Sequence, residues 1–237
     1  MLDVQAFDIR LDQLAHRRRG VPEATEAERL QTERKELESA VVTAETEASD
    51  LARDQRKADA DVEQVRTRRA RDEQRLQSGQ VGSPKDLEGL QHEIESLIRR
   101  QSDLEDVELA IMERLESATS RHAELQMKRA ELDTRLSDTE QARDAAYAAI
   151  DSEVEQVRRE RADAAAGITD DLLAAYEKSR AQHGGVGAAA LRQRRCEGCR
   201  MELDASYLAS IAAAPPERVL RCEECNRILI RTLESGV

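Results

Sequence analysis

The four cysteines of this chain stand in two pairs near its end, and no other cysteine is present. Cys196 and Cys199 form one C-x-x-C pair, and Cys222 and Cys225 form the other, with twenty-two residues between the pairs. Two residues between cysteines let both sulfur atoms reach one ion, and two pairs complete the tetrahedral sulfur shell that zinc prefers. The spacing therefore predicts a structural Zn2+ site. Four thiolates leave no open position for water, so the site is not expected to be catalytic.

Disulfide bonds and a redox C-x-x-C motif are the other uses that cysteine pairs can have. The first residues, Leu2 to Gln5, have neither the basic nor the apolar segment of a signal peptide, so a reducing, cytoplasmic location is expected. A redox motif would use one pair on a βαβ scaffold, and the residues before the pairs predict no such scaffold. Zinc therefore remains the favoured interpretation.

The turns around the zinc need backbone that tolerates positive φ, so that amides can point at sulfur. Gly198 is expected to supply this conformation in the first pair. Asn226, directly after Cys225, is expected to supply it in the second.

Eight arginines accompany the cysteine pairs and allow two interpretations. Those that flank the cysteines can offset the dianion that four thiolates form on Zn2+: Arg195, Arg200, Arg221 and Arg227. Alternatively, these four form a surface that contacts nucleic acid together with Arg192, Arg194, Arg218 and Arg231. Only Tyr207 offers a ring for base stacking there, which argues against binding of single strands.

The rest of the chain has the composition of long helices rather than of a layered globular core. Its 237 residues include one Phe, three Tyr and no Trp, and 36% of them are charged. No run of eighteen apolar residues occurs, so no membrane span is expected. The net charge is −12; from residue 184 onward eight arginines stand against seven acidic residues, which leaves −13 for the helical part. This part should repel nucleic acid in bulk.

Apolar residues recur with heptad spacing in two long segments, which predicts the two helices of a coiled coil. The first segment is interrupted near residues 20–22, where Gly20 and Pro22 disfavour helix, and it ends near the turn at residues 78–84. Ser83 as N-cap, Pro84 at the first helical position and Asp86 at the third restart the helix.

The seam residues of the two helices indicate that they pair with each other. In an antiparallel hairpin, the numbers of facing residues have a nearly constant sum. Leu30 with Leu132, Leu51 with Ile111 and Val65 with Leu97 each sum to 162. This register favours an intramolecular hairpin over a parallel dimer.

Basic residues gather near the predicted turn of the hairpin. A solvated, salt-bridged helix surface is the usual explanation for such a run, and contact with a partner is the alternative. We call these residues the tip cluster: Arg66, Arg68, Arg69, Arg71, Arg75, Lys85, Arg99 and Arg100.

The predicted fold is mostly α, with three parts in chain order. Residues 1–181 form the antiparallel coiled-coil hairpin, including a short helix over 169–180 that the Thr169 hydroxyl caps. Residues 182–190 form a flexible, glycine-rich joint. Residues 191–237 form the four-cysteine zinc ribbon, with strands near 190–195 and 228–233 and a short helix capped by Asp204. The hairpin and the ribbon are expected to have separate cores.

Three stretches carry a family resemblance: residues 83–94, which begin Ser-Pro-Lys-Asp; the run His-Gly-Gly-Val-Gly-Ala-Ala-Ala-Leu; and Arg-Cys-x-x-Cys-x-Arg-Ile-Leu at the second pair. Together they resemble bacterial C4-type zinc-ribbon proteins with an N-terminal coiled-coil hairpin, specifically the actinobacterial branch, over nearly the whole chain. The resemblance implies a family regarded as nucleic-acid-binding, with relatives that act as adaptors for transcription or secretion machinery. Asn226 stands where the family usually has glycine.

Two non-enzymatic functions follow from these features. The first is an adaptor or scaffold that binds a protein partner, and the second is direct binding of DNA or RNA through the basic ribbon surface and the tip cluster. The sequence has no P-loop, no G-x-S-x-G motif and no open metal site, so neither an enzymatic activity nor a small-molecule substrate is expected.

Overall fold

The computed structural model describes residues 1–79 and 81–236 and groups them into two units. The hairpin unit comprises residues 26–139, and the ribbon unit comprises residues 1–25 together with the residues from 140 onward. The helices are α1 (Leu2–Arg19), α2 (Pro22–Gln77), α3 (Pro84–Ala165), α4 (Asp170–Gln182) and α5 (Ala205–Ala213). The strands are β1 (Ala188–Arg192), β2 (Arg195–Cys196), β3 (Leu220–Arg221) and β4 (Ile228–Arg231). The predicted fold class, a long helical hairpin followed by a small strand-containing region, is confirmed.

The helix boundaries lie where the sequence predicts them. The Gly20 N–H donates to the carbonyls of the last turn of α1, and Pro22 is the first residue of α2. At the start of α3 the Asp86 N–H donates to Ser83 Oγ at 3.2 Å, and Ser83 Oγ donates to Asp86 Oδ2 at 2.7 Å. This is a reciprocal N-cap that satisfies a backbone donor of the first turn. Gln80, in the predicted turn, lies outside the described residues.

The buried residues of the hairpin unit follow the predicted seam: Ala27, Leu30, Val41, Ala44, Leu51, Ala58, Val62, Ile94, Leu97, Ala118 and Leu132. Ion pairs join α2 and α3 beside this seam. Arg34 lies 2.5 Å from Asp133, and Arg66 lies 2.6 Å from Glu105. Residue numbers that rise along α2 meet numbers that fall along α3, so the two helices pair antiparallel within one chain.

The tip cluster is only partly neutralised within the hairpin unit. Arg66 and Arg68 pair with glutamates of α3, and Arg69 contacts Glu73 and Gln101. Within the part of the chain that the structure describes, the other members have no side-chain hydrogen bond or ion pair: Arg71, Arg75, Lys85, Arg99 and Arg100.

None of the described helices is both long and apolar enough to cross a bilayer.

The ribbon contains a sheet with the strand order β2-β1-β4-β3, in which β1 and β4 are parallel and the other pairs are antiparallel. The strand predicted over residues 190–195 is wrong in extent. Gln193 and Arg194 have positive φ values, 47° and 66°, and they form a tight turn between β1 and β2.

The two side-chain caps predicted for the short helices are not formed. Thr169 precedes α4 and Asp204 precedes α5, but neither side chain bonds to a free amide of its helix. Asp204 Oδ2 instead accepts a hydrogen bond from Ser206 Oγ at 3.1 Å. The predicted starts of these two helices are correct, while the predicted side-chain hydrogen bonds at their N-caps are wrong.

The zinc ribbon shares part of its core with the helices of the ribbon unit. Ala188 in β1 and Ile228 in β4 pack with Val4 of α1 and Tyr176 of α4, and all four are at most 2% exposed. A second cluster belongs to the ribbon alone and includes Leu191, Leu203, Leu208, Ile211 and Leu229. The expectation of separate cores is therefore wrong, because the first and last strands bury one face against α1 and α4.

Residues 183–187, which we call the glycine loop, are held by hydrogen bonds from α1, although the sequence suggested a flexible joint. Gln5 Oε1 accepts the Gly187 N–H at 2.6 Å, and Gln5 Nε2 donates to the Gly185 carbonyl at 2.9 Å. A Cβ atom on Gly187 would lie 2.7 Å from the Tyr176 carbonyl oxygen and 2.8 Å from the Arg180 nitrogen. Gly187 is thus needed for close approach of the backbone to α4 rather than for mobility.

Candidate metal centre

The four predicted cysteine ligands lie together, with all their sulfur atoms within 4.8 Å of one another. The Cys196 and Cys225 sulfur atoms are 3.9 Å apart, and those of Cys199 and Cys222 are 3.8 Å apart. A tetrahedral zinc with Zn–S bonds of about 2.3 Å requires sulfur atoms roughly 3.8 Å apart. The sulfur positions therefore fit one zinc ion.

The two cysteine pairs have the same backbone turn. In the first, the Arg200 N–H donates to the Cys196 carbonyl at 2.6 Å; in the second, the Asn226 N–H donates to the Cys222 carbonyl at 2.8 Å. Both donors follow the second cysteine of their pair and have positive φ, 65° at Arg200 and 59° at Asn226. The prediction for Asn226 is confirmed.

The prediction that Gly198 supplies positive φ is wrong, because the left-handed residue of the first turn is Arg200. Gly198 is needed for space. A Cβ atom there would lie 2.8 Å from Arg227 Cδ and 3.0 Å from Ala189 Cβ, so only glycine allows the Arg227 side chain to pass.

The two buried cysteine thiols are in an environment that opposes their ionisation. Burial raises the pKa of the Cys196 thiol and strongly raises that of Cys222. Burial also opposes ionisation of Cys225, but hydrogen bonds from Arg227 and the neighbouring cysteines lower its pKa to about 7. Zinc supplies the positive charge that stabilises four clustered thiolates, so the site holds one structural Zn2+ through its four cysteines.

Three of the eight arginines hold backbone carbonyls of the ribbon unit. Arg221 Nη1 donates to the Asn226 carbonyl at 3.0 Å. Arg231 Nη1 donates to the Ile211 and Ala214 carbonyls at 3.0 and 2.9 Å, which ties β4 to the end of α5. Arg227 reaches the glycine loop. These side chains brace the fold.

The other five arginines are more exposed. Arg192 pairs with Glu234 at 2.5 Å, and Arg195 lies 3.8 Å from Glu202. Among residues 1–79 and 81–236, no side-chain hydrogen bond or ion pair is made by Arg194, Arg200 or Arg218. Of the flanking arginines proposed to offset the zinc charge, Arg227 is the one whose side chain lowers the pKa of a cysteine.

Sequence reasoning missed a buried polar cluster in the ribbon unit. The Asp8 carboxylate, in a residue that is 2% exposed, accepts hydrogen bonds from Arg161 Nε and the Tyr176 hydroxyl, both at 2.6 Å. Asp8 lies one helical turn after the core residue Val4, so its position on the inward face of α1 could be read from the spacing. Its partners, more than 150 residues away in sequence, were not.

Comparisons with known proteins agree with this architecture. A family model for the CT398-like coiled coil hairpin domain matches residues 4–184, and one for the C4-type zinc ribbon domain matches residues 195–229. The uncharacterized protein Rv2229c of Mycobacterium tuberculosis is 35% identical over 98% of this chain and 94% of its own length. The uncharacterized protein ML1638 of Mycobacterium leprae is 30% identical over 94% of this chain and 95% of its own.

Two solved structures are similar over almost the whole chain. One, from Mycobacterium smegmatis, has a TM-score of 0.80 and 34% identity, and the match covers 97% of this chain and 94% of that one. CT398 from Chlamydia trachomatis has a TM-score of 0.68 at 16% identity, with coverage of 98% and 95%, and it supports the fold alone. The chain therefore belongs to the CT398-like coiled-coil hairpin family and carries a C4-type zinc ribbon with one structural Zn2+.

Proposed function

We propose that the protein is a non-enzymatic scaffold that binds another protein through the hairpin unit. The observation that carries this proposal is an apolar face on α3. Ile98, Leu109 and Met112 are 46%, 57% and 42% exposed. Their spacings of eleven and three residues place them within about 60° of one another around the helix. Aligned apolar side chains on an otherwise charged surface favour a protein contact.

The residues around this face indicate the chemistry of the partner. Glu116 projects from the same sector of α3, as does Glu105, which already pairs with Arg66. Residues 98–116 contain three arginines against six acidic residues. An amphipathic helix with an apolar stripe and flanking Lys or Arg side chains would bury Leu109 and Met112 and complement Glu116 and the acidic excess around it. We therefore propose such a helix, on another protein, as the bound segment.

Direct contact with nucleic acid is the second candidate, favoured by the unpaired arginines of the ribbon and of the tip cluster. Three features weaken it. Five of the eight ribbon arginines have partners inside the ribbon unit. Tyr207, the aromatic residue of the ribbon, is packed against the ribbon core, and its hydroxyl donates to the Arg221 carbonyl. The chain carries a net charge of −12.

The site chemistry supports a role without catalysis in a reducing compartment. Four sulfur ligands saturate zinc and leave no position at which a substrate or water could be activated. The four cysteines must stay reduced to bind zinc, and zinc-binding thiols persist where disulfides do not form. We therefore place the scaffold in the cytoplasm.

Leu109→Glu should weaken capture of the partner at least tenfold, because a buried apolar contact becomes a charge beside Glu105 and Glu116. Val107→Glu is the matched control: Val107 is 52% exposed on the same helix, but it points about 180° away from Ile98. Zinc-loaded wild type and both variants would be used as bait in native extract, with and without nuclease treatment. The captured protein would then be purified and its affinity for each bait measured by calorimetry.

The expected order of affinity is wild type equal to Val107→Glu, with Leu109→Glu at least tenfold weaker. Equal binding by the two variants would reject the α3 face. Capture that disappears on nuclease treatment would reject the scaffold and favour the nucleic-acid alternative. Circular dichroism of each bait checks that the hairpin is intact.

A further inference from the structure

Arg227 connects the zinc centre to the glycine loop. Its backbone belongs to the turn of the second cysteine pair, because its carbonyl accepts the Cys222 N–H at 2.9 Å. The preceding residue, Asn226, is held in the left-handed conformation, and the next residue, Ile228, begins β4. Zinc therefore fixes the direction in which the Arg227 side chain leaves the backbone.

The side chain of Arg227 leaves the zinc centre and binds the glycine loop. Nε donates to the Val186 carbonyl at 2.9 Å, and Nη2 donates to the His183 carbonyl at 3.2 Å. On the way it passes directly over Gly198, where a Cβ atom would lie 2.8 Å from Cδ. The Arg227 side chain thus begins in the second cysteine pair, passes Gly198 of the first and donates to two carbonyls of the loop.

The glycine loop is in turn bonded to two helices. Gln5 of α1 binds the loop through its amide at Gly185 and Gly187, and Ser179 Oγ of α4 donates to the Gly187 carbonyl at 2.8 Å. Beyond the loop, Ala188 enters the core that Val4 and Tyr176 share with β4. An unbroken set of hydrogen bonds therefore leads from the cysteines to α1.

We propose that Arg227 is a zinc-dependent latch, which makes the order of the glycine loop and the docking of α1 depend on zinc. With zinc bound, the backbone on both sides of Arg227 is fixed, so its two hydrogen bonds cost little conformational entropy. Without zinc the two cysteine pairs are no longer joined, and the guanidinium loses its fixed origin. The carbonyls of His183 and Val186 then lose the Arg227 donors, and the loop becomes less ordered. The hydrogen bonds between the loop and Gln5 of α1 are weakened as a result.

Hydrogen–deuterium exchange of the full chain, before and after zinc removal by a chelator, tests the latch. In the wild type, zinc removal should speed exchange of the amides at residues 183–188 and of α1 at least tenfold. In Arg227→Gln with zinc bound, the loop should already exchange as fast as in the zinc-free wild type. Its zinc content should remain one per chain, since no sulfur ligand is changed.

Arg231→Gln is the matched control, because Arg231 also bonds carbonyls from β4 but reaches the end of α5 instead of the loop. Its loop should keep the full zinc dependence. Gln5→Ala tests the next link without touching the cysteine turns: with zinc bound, exchange in α1 should rise above the wild-type rate, while residues 183–186 keep their zinc dependence. Loop exchange that is unaffected by zinc removal in the wild type would overturn the proposal. Zinc-dependent loop exchange of wild-type size in Arg227→Gln would overturn it as well.

Discussion

Cys222→Ser is expected to reduce zinc from one equivalent per chain to less than a tenth, and to loosen α1 and α4 together with the ribbon. Cys222 is a metal ligand and, at 2% exposure, part of the ribbon core. A structural zinc supplies on the order of 10 kcal/mol of apparent binding free energy, which a ribbon of this size cannot replace from its own apolar contacts. Ala188 and Ile228 of the ribbon pack with Val4 of α1 and Tyr176 of α4. Unfolding of the ribbon therefore exposes the buried faces of these two helices.

Elemental analysis and hydrogen exchange together measure this effect. Exchange should rise in α1, α4 and the ribbon and remain slow in the hairpin unit, which has its own buried seam. Glu224→Ala is the control: Glu224 is exposed, lies in the same cysteine pair and is not a ligand. Retention of a full equivalent of zinc by Cys222→Ser would refute the ligand assignment. Unchanged exchange in α1 would refute the shared core.

Asp8→Ala is expected to destabilise the ribbon unit by about 3 kcal/mol, because it leaves buried donors without their acceptor. Arg161 binds both Asp8 oxygens, at 2.6 and 3.2 Å, and the Tyr176 hydroxyl binds one of them. Burial and the hydrogen bond to Asp8 both raise the pKa of Tyr176, so its hydroxyl stays a donor over the working pH range.

Asp12→Ala is the matched control for Asp8→Ala, since Asp12 likewise accepts hydrogen bonds from an arginine, Arg180 of α4, but its side chain is 55% exposed. Exposed ion pairs contribute at most about 1 kcal/mol, so this change should be small. Urea unfolding of the zinc-loaded proteins, followed by hydrogen exchange of the ribbon unit, measures both. Equal destabilisation by the two variants would show that burial does not set the value of the Asp8 interactions.

The hairpin could be predicted because its information is local and repeated. Every seam residue reports the same heptad period, and the constant sum of facing positions adds a long-range check that one chain supplies by itself. Helix boundaries at Gly20, Pro22 and Ser83 follow from backbone chemistry at single residues. The zinc ligands were predictable for a related reason, since four cysteines with this spacing have few other uses.

The contacts that join the ribbon to the helices could not be predicted in this way. Gln5 binds residues of the glycine loop 180 or more positions away, and no periodicity reports such a pair. Glycines that permit close packing have the same sequence signature as glycines that permit motion, so the loop was interpreted as flexible. Arg200 takes the left-handed turn that glycine was expected to take, because the hydrogen bond to Cys196 compensates for the strain.

The arginines show why residue type alone did not define a binding surface. Arg221, Arg227 and Arg231 have the sequence context of phosphate contacts, but their guanidinium groups satisfy carbonyls at the ends of short elements. A ribbon with two-residue strands leaves many carbonyls unpaired, and long arginine side chains reach them. Hydrogen bonds from arginine side chains to these carbonyls can be recognised only when the fold is known.

X-ray absorption at the zinc edge of the purified protein tests most directly the claim that the four cysteines form a closed, structural zinc site. We expect one zinc per chain with four sulfur neighbours at about 2.3 Å and no nitrogen or oxygen neighbour. A shell of three sulfur atoms with one oxygen or nitrogen atom would contradict it, because that shell would leave a position open for chemistry.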